Sequence, residues 1–259
     1  ACPADTDIPG YLEAIYNEDY NKAYKINLED NVFPGILGRV CSRPCEDACR
    51  HGEDSNGESV SICFSKRSAE HFNITDKIKL KNYAGKTKKK ILIIGSGVAG
   101  LTAARELMRC GHAVEVYEKH CAPGGMLNQG IPIFRLPRSI VEKEINQAIG
   151  DDIKIYYNKN IEKSSDIELL AKKYDAVVLA LGTLKPNKIN KEFTKSYDVE
   201  DGLSFLLRVN EYKDKYIGKN VIVIGGGYTS MDCARTALRL GAKSVRTFYR
   251  RTNDDLIIL

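Results

Sequence analysis

The sequence lacks the features that mark membrane-spanning and secreted proteins. No uninterrupted apolar run reaches the roughly 18 residues that a membrane-spanning helix needs, so no such helix is expected. No charged-then-apolar leader opens the chain, which predicts a cytoplasmic protein. The first residue is Ala1 rather than a starting Met, and this leaves room for an upstream segment.

The composition also disfavours a small domain that is stabilised by disulfide bonds. The chain has 259 residues, with 43% hydrophobic and 28% charged residues, which is ordinary for a globular protein with a core of its own. Five of its eight cysteines fall in the first quarter of the sequence. Thiols gathered in one segment of a chain without a leader favour metal ligation over disulfide pairing.

No C-x2-C pair is present, although zinc knuckles usually use that spacing. Cys41, Cys45 and Cys49 instead form C-x3-C-x3-C, while Cys2 lies well upstream and Cys63 follows 14 residues after Cys49. Cysteine thiolates are the ligands of [4Fe-4S] clusters, four to a cluster. The spacing therefore favours an iron–sulfur cluster and leaves zinc as the alternative.

The net charge of +5 is concentrated in a run of seven lysines between residues 77 and 90. We interpret this run as a solvated linker that leads into a buried strand. The alternative is a docking face for an acidic electron-transfer protein. Nucleic acid is disfavoured as a partner, because Tyr83 is the one aromatic residue between these lysines.

A strand, a glycine turn and a helix are predicted directly after the lysines. Ile91–Ile94 is a short apolar run, and Gly95, Gly97 and Gly100 follow it in G-x-G-x-x-G spacing. The first glycine allows a tight turn, the second lets the backbone approach a pyrophosphate, and the third lets the helix lie close to the strand. Glu118 ends the next predicted strand, where a carboxylate can bond a ribose hydroxyl. The pattern predicts a dinucleotide site, and the later apolar run at residues 176–183 predicts a further, buried strand.

The same pattern returns about 130 residues further on. Val221–Ile224 is followed by Gly225 and Gly227, and Ser230 takes the third fingerprint position. Asp232 lies in the first turn of the predicted helix, where the helix dipole favours a carboxylate. The chain is therefore predicted to contain two βαβ nucleotide-binding units.

Two arginines replace the ribose-binding acid in the second unit. Arg250 and Arg251 stand at the end of its second predicted strand. Guanidinium groups bind a 2′-phosphate through paired hydrogen bonds, so the sequence favours NADP(H), with NAD(H) as the alternative. A different interpretation pairs both arginines with local acids such as Asp254.

Four stretches of the sequence together resemble one protein family. In chain order they are NVFPGILGRVCSRPCEDAC, GSGVAGLTAARELMRCGHAVEVYEK, GGMLNQGIPIFRLP, and VIVIGGGYTSMDCARTALRLGA followed by YRR. They are similar to the NADPH-dependent glutamate synthase small (beta) subunit family, whose relatives include the N-terminal part of dihydropyrimidine dehydrogenase and the large subunit of electron-bifurcating transhydrogenases. The resemblance covers nearly the whole chain.

The resemblance implies an α/β fold with three parts. An N-terminal α-helical [4Fe-4S] domain would span residues 1–85, an FAD-binding Rossmann-type domain 86–187, and an NAD(P)H-binding Rossmann-type domain 188–259. The last would be inserted in the second. The family's FAD domain resumes after its NADP domain, and further cysteines precede its first motif, so we expect both Rossmann-type domains and one cluster site to be incomplete in this chain.

The resemblance also implies which residues hold the cofactors. The residues implied for FAD are Gly95, Gly97, Gly100, Glu118, Gly125, Leu127 and Arg135. Those implied for NADP(H) are Gly226, Gly227, Thr229, Asp232, Arg250 and Arg251. The candidate ligands of the [4Fe-4S] clusters are Cys2, Cys41, Cys45, Cys49 and Cys63, with the register of Cys63 left open.

The implied function is that of an oxidoreductase subunit that moves electrons between NAD(P)H, FAD and [4Fe-4S] clusters. The electrons would pass to a partner subunit or a ferredoxin-like acceptor within a hetero-oligomeric complex. Hydride transfer needs no side-chain acid or base, so no catalytic residue is predicted. One alternative is a non-catalytic electron-relay subunit. A thioredoxin-reductase-type disulfide reductase is disfavoured, since it needs a C-x2-C pair.

Overall fold

The chain folds into two compact units in the computed structural model, which describes residues 2–53, 57–75, 77–183, 186 and 198–252. The first unit comprises the chain up to Gly124 together with Arg135–Leu181, and the second comprises Gly125–Phe134 together with the residues from Gly182 on. The N-terminal helices and the first glycine turn therefore share one unit. The domain boundaries at residues 85 and 187 stay a prediction.

The described N-terminal part of the first unit is helical, as the sequence predicts. Its helices are α1 (Ile8–Tyr16), α2 (Tyr20–Asp30), α3 (Pro34–Val40), α4 (Pro44–Asp47), α5 (Arg50–Glu53) and α6 (Ile62–Phe72). The Asp7 carboxylate accepts a hydrogen bond from the Gly10 backbone N–H at 2.9 Å, and a proline lies in the first turn of α1. Such a side-chain cap satisfies one of the free N–H groups at the start of a helix, and α1 accordingly begins directly after Asp7.

These helices pack around a shared core. Tyr11 is 0% exposed, and its hydroxyl donates to the Ile62 carbonyl oxygen at 3.1 Å, which ties α1 to the start of α6. Tyr24, Leu28 and Cys45 belong to the same buried cluster. The core therefore brings the cysteine-bearing helices α4 and α6 against α1 and α2.

A parallel sheet completes the first unit. Its elements are β1 (Lys90–Ile94), α7 (Val98–Arg109), β2 (Ala113–Tyr117), α9 (Arg138–Ile149), β3 (Lys154–Tyr156), α10 (Ser164–Ala171) and β4 (Ala176–Leu179), while α8 (Met126–Gln129) belongs to the second unit. The strand order is β3–β2–β1–β4, and every pair is parallel. The carboxyl ends of the strands consequently meet at one edge, which is where open α/β sheets bind ligands.

The last strand of this sheet is less buried than the sequence predicts. The run from residue 176 to 183 is expected to be a buried strand, but β4 ends at Leu179, whose side chain is 53% exposed. Since β4 is the outer strand of the described sheet, it pairs with β1 alone. By contrast β1, the neighbour of two strands, buries Ile91–Ile94 to between 0% and 6% exposure.

The second unit contains the second βαβ motif. After α8 come α11 (Gly202–Asn210), β5 (Asn220–Ile224), α12 (Tyr228–Arg239) and β6 (Ser244–Phe248), with β5 and β6 parallel. The segment Gly125–Phe134 packs within this unit: Asn210 Nδ2 donates to the Gln129 carbonyl oxygen at 2.9 Å, and the Arg239 guanidinium lies 3.9 Å from the centre of the Phe134 ring.

No helix in the described parts of the chain is long and apolar enough to cross a membrane.

Candidate dinucleotide and iron–sulfur sites

The first glycine turn has the geometry that its sequence predicts. Gly95 has φ +105°, and a Cβ atom there would collide with the Ala180 carbonyl oxygen. A Cβ atom on Gly100 would collide with the Gly95 carbonyl oxygen, whereas nothing lies within 4 Å of a Cβ atom on Gly97. The protein's own backbone therefore requires glycine at 95 and 100. Gly97 faces open space at the start of α7, where backbone N–H groups favour an anion.

Glu118 lies directly after β2 and is 5% exposed. Its Oε2 atom accepts hydrogen bonds from the Ser96 N–H at 2.8 Å and the Ser96 hydroxyl at 2.6 Å, while Oε1 accepts from the His120 N–H at 2.9 Å. A carboxylate offers about four acceptor positions, so these bonds fix its orientation beside the glycine turn and leave room for one more donor. A ribose hydroxyl is such a donor.

The three remaining residues predicted to hold FAD fall on both sides of a unit boundary. Arg135 belongs to the first unit, and Gly125 and Leu127 belong to the second. Gly124 has φ +109°, and its N–H donates to the Ser96 carbonyl oxygen at 2.8 Å. This bond holds the backbone of Gly124, the residue before Gly125, against the first glycine turn.

The second glycine turn repeats this arrangement in its own unit. Gly225 has φ +133°, and a Cβ atom there would collide with the hydroxyl of Ser230. A Cβ atom on Gly226 would meet the ring of Tyr249, whereas nothing lies within 4 Å of a Cβ atom on Gly227. Gly227 is the residue before α12, as Gly97 is before α7. Both turns therefore leave open space at the equivalent position in front of a helix.

The other predicted NADP(H) residues surround this turn. Thr229 is exposed in the first turn of α12, and Asp232 is 5% exposed further along the same helix. Arg250 and Arg251 follow β6, are both exposed, and form no hydrogen bond or ion pair with any described residue. Asp254, the suggested local partner of the two arginines, lies outside the described residues.

Four of the five candidate cysteine ligands form one electrostatic group. The pKa of Tyr11 is raised by burial and, in addition, by the negative charges of the thiolates of Cys45, Cys63 and Cys2. The pKa of the Cys63 thiol is raised to about 12, first by burial and then by the charges of Cys41, Glu46 and Cys45. Charges act in this way over short distances, so Cys2, Cys41, Cys45 and Cys63 lie near one another. We call these four residues the cysteine group.

Cys49 lies outside the cysteine group. Its thiol pKa is lowered chiefly by hydrogen bonds from the backbone of Val60 and His51, and no cysteine is among the main causes of the shift. The cysteine group therefore includes Cys41 and Cys45 of the C-x3-C-x3-C pattern, and Cys49 stays a candidate ligand from the sequence alone.

The chemistry of the cysteine group fits an iron–sulfur cluster. Within the described residues, no three Cys, His, Asp or Glu side chains are placed so that they could hold a metal ion. A four-iron cluster is wider than a single ion, and its thiolate ligands stand further apart. The Arg43 backbone N–H donates to the Cys41 sulfur at 3.4 Å, and hydrogen bonds to sulfur are typical of cluster sites.

The geometry defines a class: two parallel βαβ units, each with a glycine turn open to a pyrophosphate, carried by a chain with a cysteine-rich helical segment. The comparisons with known proteins agree. The chain belongs to the pyridine nucleotide-disulphide oxidoreductase family, whose profile matches residues 89–253. Residues 1–78 match the profile described as dihydropyrimidine dehydrogenase domain II, 4Fe-4S cluster. These matches imply FAD and a nicotinamide dinucleotide as cofactors of residues 89–253 and [4Fe-4S] clusters as cofactors of residues 1–78.

Curated relatives are similar over nearly the whole chain. The chain is 38% identical to glutamate synthase [NADH] of Schizosaccharomyces pombe, covering 95% of this chain and 12% of the relative. It is 35% identical to the NADPH-Fe(3+) oxidoreductase subunit beta of Geobacter sulfurreducens, and the match covers 98% of this chain and 38% of that relative. It is also 35% identical to the glutamate synthase [NADPH] small chain of Bacillus subtilis, and the match covers 98% of this chain and 55% of that relative. The chain thus spans at most about half the length of these relatives.

Two solved structures share the fold. The 2-naphthoyl-CoA reductase complex superimposes with a TM-score of 0.53 at 22% identity, covering 68% of this chain and 30% of that one. FprA from Mycobacterium tuberculosis in complex with NADPH gives a TM-score of 0.50 at 22% identity, and the match covers 57% of this chain and 36% of that one.

One residue of the first site, Ser96, was not predicted from the sequence. Ser96 orients Glu118 through both its N–H and its hydroxyl group. The available signal was a hydroxyl residue inside the first G-x-G turn.

Proposed function

We propose that the chain is a subunit of an NADPH-dependent oxidoreductase that moves electrons between NADPH, FAD and [4Fe-4S] clusters and passes them to a partner subunit or a ferredoxin-like acceptor. The observation that carries the proposal is the cysteine group. It lies in the same compact unit as the first glycine turn and Glu118, so residues suited to a one-electron carrier share a unit with the residues proposed for the pyrophosphate and ribose of FAD.

The role of the chain in this reaction is to bind and orient the cofactors. Glu118, held by Ser96 and His120, would accept the ribose hydroxyl of FAD, and the open space at Gly97 would admit its pyrophosphate. Gly227 would do the same for the nicotinamide dinucleotide. The bound cofactors supply hydride and one-electron transfer, so the protein contributes placement and electrostatics rather than an acid or a base.

NADPH is proposed over NADH because of Arg250 and Arg251. Both are exposed and have no hydrogen-bond or ion-pair partner among the described residues, so their guanidinium groups are open to a 2′-phosphate. An arginine pair of this kind is how Rossmann-type sites accommodate the extra phosphate.

The proposed setting is a cytoplasmic hetero-oligomeric complex. The eight cysteines include none in a disulfide bond in the described residues, which suits a reducing compartment. The run of lysines contributes three ion pairs, with Asp151, Asp175 and Glu115. Its other lysines are exposed and remain suited to an acidic redox partner.

The test is the cofactor content of the anaerobically purified and reconstituted chain. The proposal predicts bound FAD together with iron and sulfide, and a Cys63→Ser variant that loses iron while keeping FAD. Cys233→Ser is the matched control, because Cys233 is a buried cysteine of the second unit, outside the cysteine group. Iron without FAD would favour the electron-relay subunit instead, and the absence of both would refute the proposal.

A further inference from the structure

One carboxylate joins two cysteine-bearing segments of the first unit. Glu46 follows Cys45 directly in α4, and its Oε1 atom accepts a hydrogen bond at 2.7 Å from the backbone N–H of Cys63, in the first turn of α6. The side chain of Glu46 is 16% exposed, so this contact is largely shielded from water. Glu46 therefore connects the neighbour of one candidate ligand with the backbone of another.

The first turn of α6 depends on this distant carboxylate. Ser61 precedes the helix, but its side chain forms no capping hydrogen bond with it. N–H groups in the first turn of a helix have no partner within the helix, and the helix dipole favours a negative charge beside them. Glu46 supplies both an acceptor and the charge from a position 17 residues before Cys63.

Arg43 extends the link to a third cysteine. Its backbone is left-handed, with φ +65°, a conformation that is unfavourable for residues other than glycine. In this conformation its N–H donates to the Cys41 sulfur at 3.4 Å. Its guanidinium lies 3.8 Å from Glu46 Oε2 and 5.1 Å from the centre of the ring of Phe64, the residue after Cys63. Contacts with both cysteine-bearing segments thus hold the unfavourable backbone in place.

The hydrogen bond between Cys63 and Glu46 is the strongest of these contacts. The Arg43 side chain is 35% exposed and its ion pair with Glu46 is long, and ion pairs of that kind contribute little to stability. A short hydrogen bond to a carboxylate is stronger than one between neutral groups. Loss of the Glu46 carboxylate should therefore loosen the first turn of α6 first, and Cys63 with it.

We propose that Glu46 is a positioning residue that holds Cys63 in place relative to Cys41 and Cys45 before a [4Fe-4S] cluster binds. The proposal rests on the function proposed above. Ligands from separate segments must be ordered when a cluster binds, and that ordering is unfavourable in conformational entropy. A contact that orders them in the iron-free chain reduces this loss and so strengthens binding. Glu46 acts through the backbone of Cys63 and not as a ligand.

The experiment compares Glu46→Ala, Glu46→Gln and Asp47→Ala with the wild-type chain. Alanine removes the acceptor, glutamine keeps an acceptor without the charge, and Asp47 is an exposed acid on the same helix. Hydrogen exchange of the iron-free proteins reports on the contact itself. In Glu46→Ala the Cys63 amide should exchange about fivefold to thirtyfold faster than in the wild type, the range that loss of a side-chain cap implies, while the amides of α2 keep their wild-type exchange. Glu46→Gln should lie between these two, and Asp47→Ala should match the wild type.

Iron release tests the positioning role. After anaerobic reconstitution, a chelator should remove iron from Glu46→Ala about fivefold faster or more, with Glu46→Gln intermediate and Asp47→Ala unchanged. Faster exchange of the Cys63 amide with unchanged iron release would overturn the proposal, because Glu46 would then only cap the helix. Unchanged exchange of that amide would overturn it as well, since the hydrogen bond would not hold the turn. A wild-type chain that takes up no iron would instead refute the proposed function.

Discussion

At the scale of single residues, the glycines of the two turns divide into those that the backbone requires and those that it does not. Gly95, Gly100 and Gly225 each have a neighbouring atom that a Cβ atom would strike. Gly97 and Gly227 have none within 4 Å, and their backbone angles are ones that any residue adopts. Since folding does not require glycine at 97 and 227, these two positions report on cofactor binding.

Alanine at Gly97 should weaken FAD binding without weakening the fold. The added methyl group enters the space through which the pyrophosphate would approach, so we expect the affinity for FAD to fall about tenfold or more while the thermal unfolding of the cofactor-free chain is unchanged. Gly100→Ala is the contrasting variant: it should destabilise the cofactor-free chain by about 1–3 kcal/mol through overpacking against Gly95. Equal FAD affinity in Gly97→Ala and wild type would show that the turn does not bind a pyrophosphate.

Arg250 and Arg251 should discriminate between the two nicotinamide cofactors. A charged hydrogen bond contributes about 1.5–3 kcal/mol, so replacing either arginine with Ala should weaken NADPH binding by about tenfold to a hundredfold and leave NADH binding nearly unchanged. The measurement is calorimetric titration of each variant with both cofactors. Arg246→Ala, which removes an exposed arginine from β6 of the same unit, is the control. A parallel loss of NADPH and NADH affinity would argue against recognition of the 2′-phosphate.

At the scale of helices and strands, one buried carboxylate of α9 links that helix to the N-terminal helices α2 and α3. Glu144 on α9 is 0% exposed and accepts hydrogen bonds from the Gly35 and Ile36 N–H groups, at 2.7 and 2.8 Å, and from the Tyr24 hydroxyl at 2.9 Å. These N–H groups belong to the first turn of α3, which has no side-chain cap of its own. Glu144 therefore caps α3 from a distant part of the chain.

This carboxylate should make stability depend on pH. Burial, reinforced by the charge of Glu70, raises the pKa of Glu144 to about 7 despite the three hydrogen bonds that oppose it. Because the folded-state pKa exceeds the unfolded value of 4.5, the stabilisation is complete below about pH 4.5 and is lost as the pH rises through 7. Glu144→Gln should flatten this dependence when urea unfolding is measured between pH 5 and 8. It should also lower the free energy of unfolding at pH 5 by about 1–3 kcal/mol, because one hydrogen-bond acceptor is lost.

Glu142→Gln is the control for this measurement, because Glu142 is exposed on the same helix. The control should retain the wild-type dependence on pH. If Glu144→Gln retains it too, another group is responsible for it.

The contrast between these elements shows what the sequence could predict. The strands before both glycine turns and the helices after them are confirmed, because apolar periodicity and glycine spacing act locally. The burial of β4 was predicted wrongly, since burial depends on which strands flank it. Glu144 was not identified, although it interrupts an apolar stripe formed by Val141, Ile145 and Ala148. Its partners lie more than a hundred residues away in the sequence, and no local pattern reports them.

At the scale of the whole molecule, all five candidate ligands lie in the first unit and none lies in the second. Removal of iron should therefore loosen the first unit alone. We expect hydrogen exchange to accelerate in α4 and α6 after iron is chelated, while β5 and α12 keep their protection, because a bound metal stabilises the structure that holds it. Equal acceleration in both units would show that the clusters support the second unit as well.

The central claim is that NADPH and an iron–sulfur cluster exchange electrons through this chain. The most direct measurement is an anaerobic titration of the reconstituted chain with NADPH, followed at once by the visible flavin spectrum and by electron paramagnetic resonance. The flavin absorption should bleach and the signal of a reduced [4Fe-4S] cluster should appear as NADPH is added. If the loaded chain is reduced by dithionite but not by NADPH, the proposed electron path is wrong.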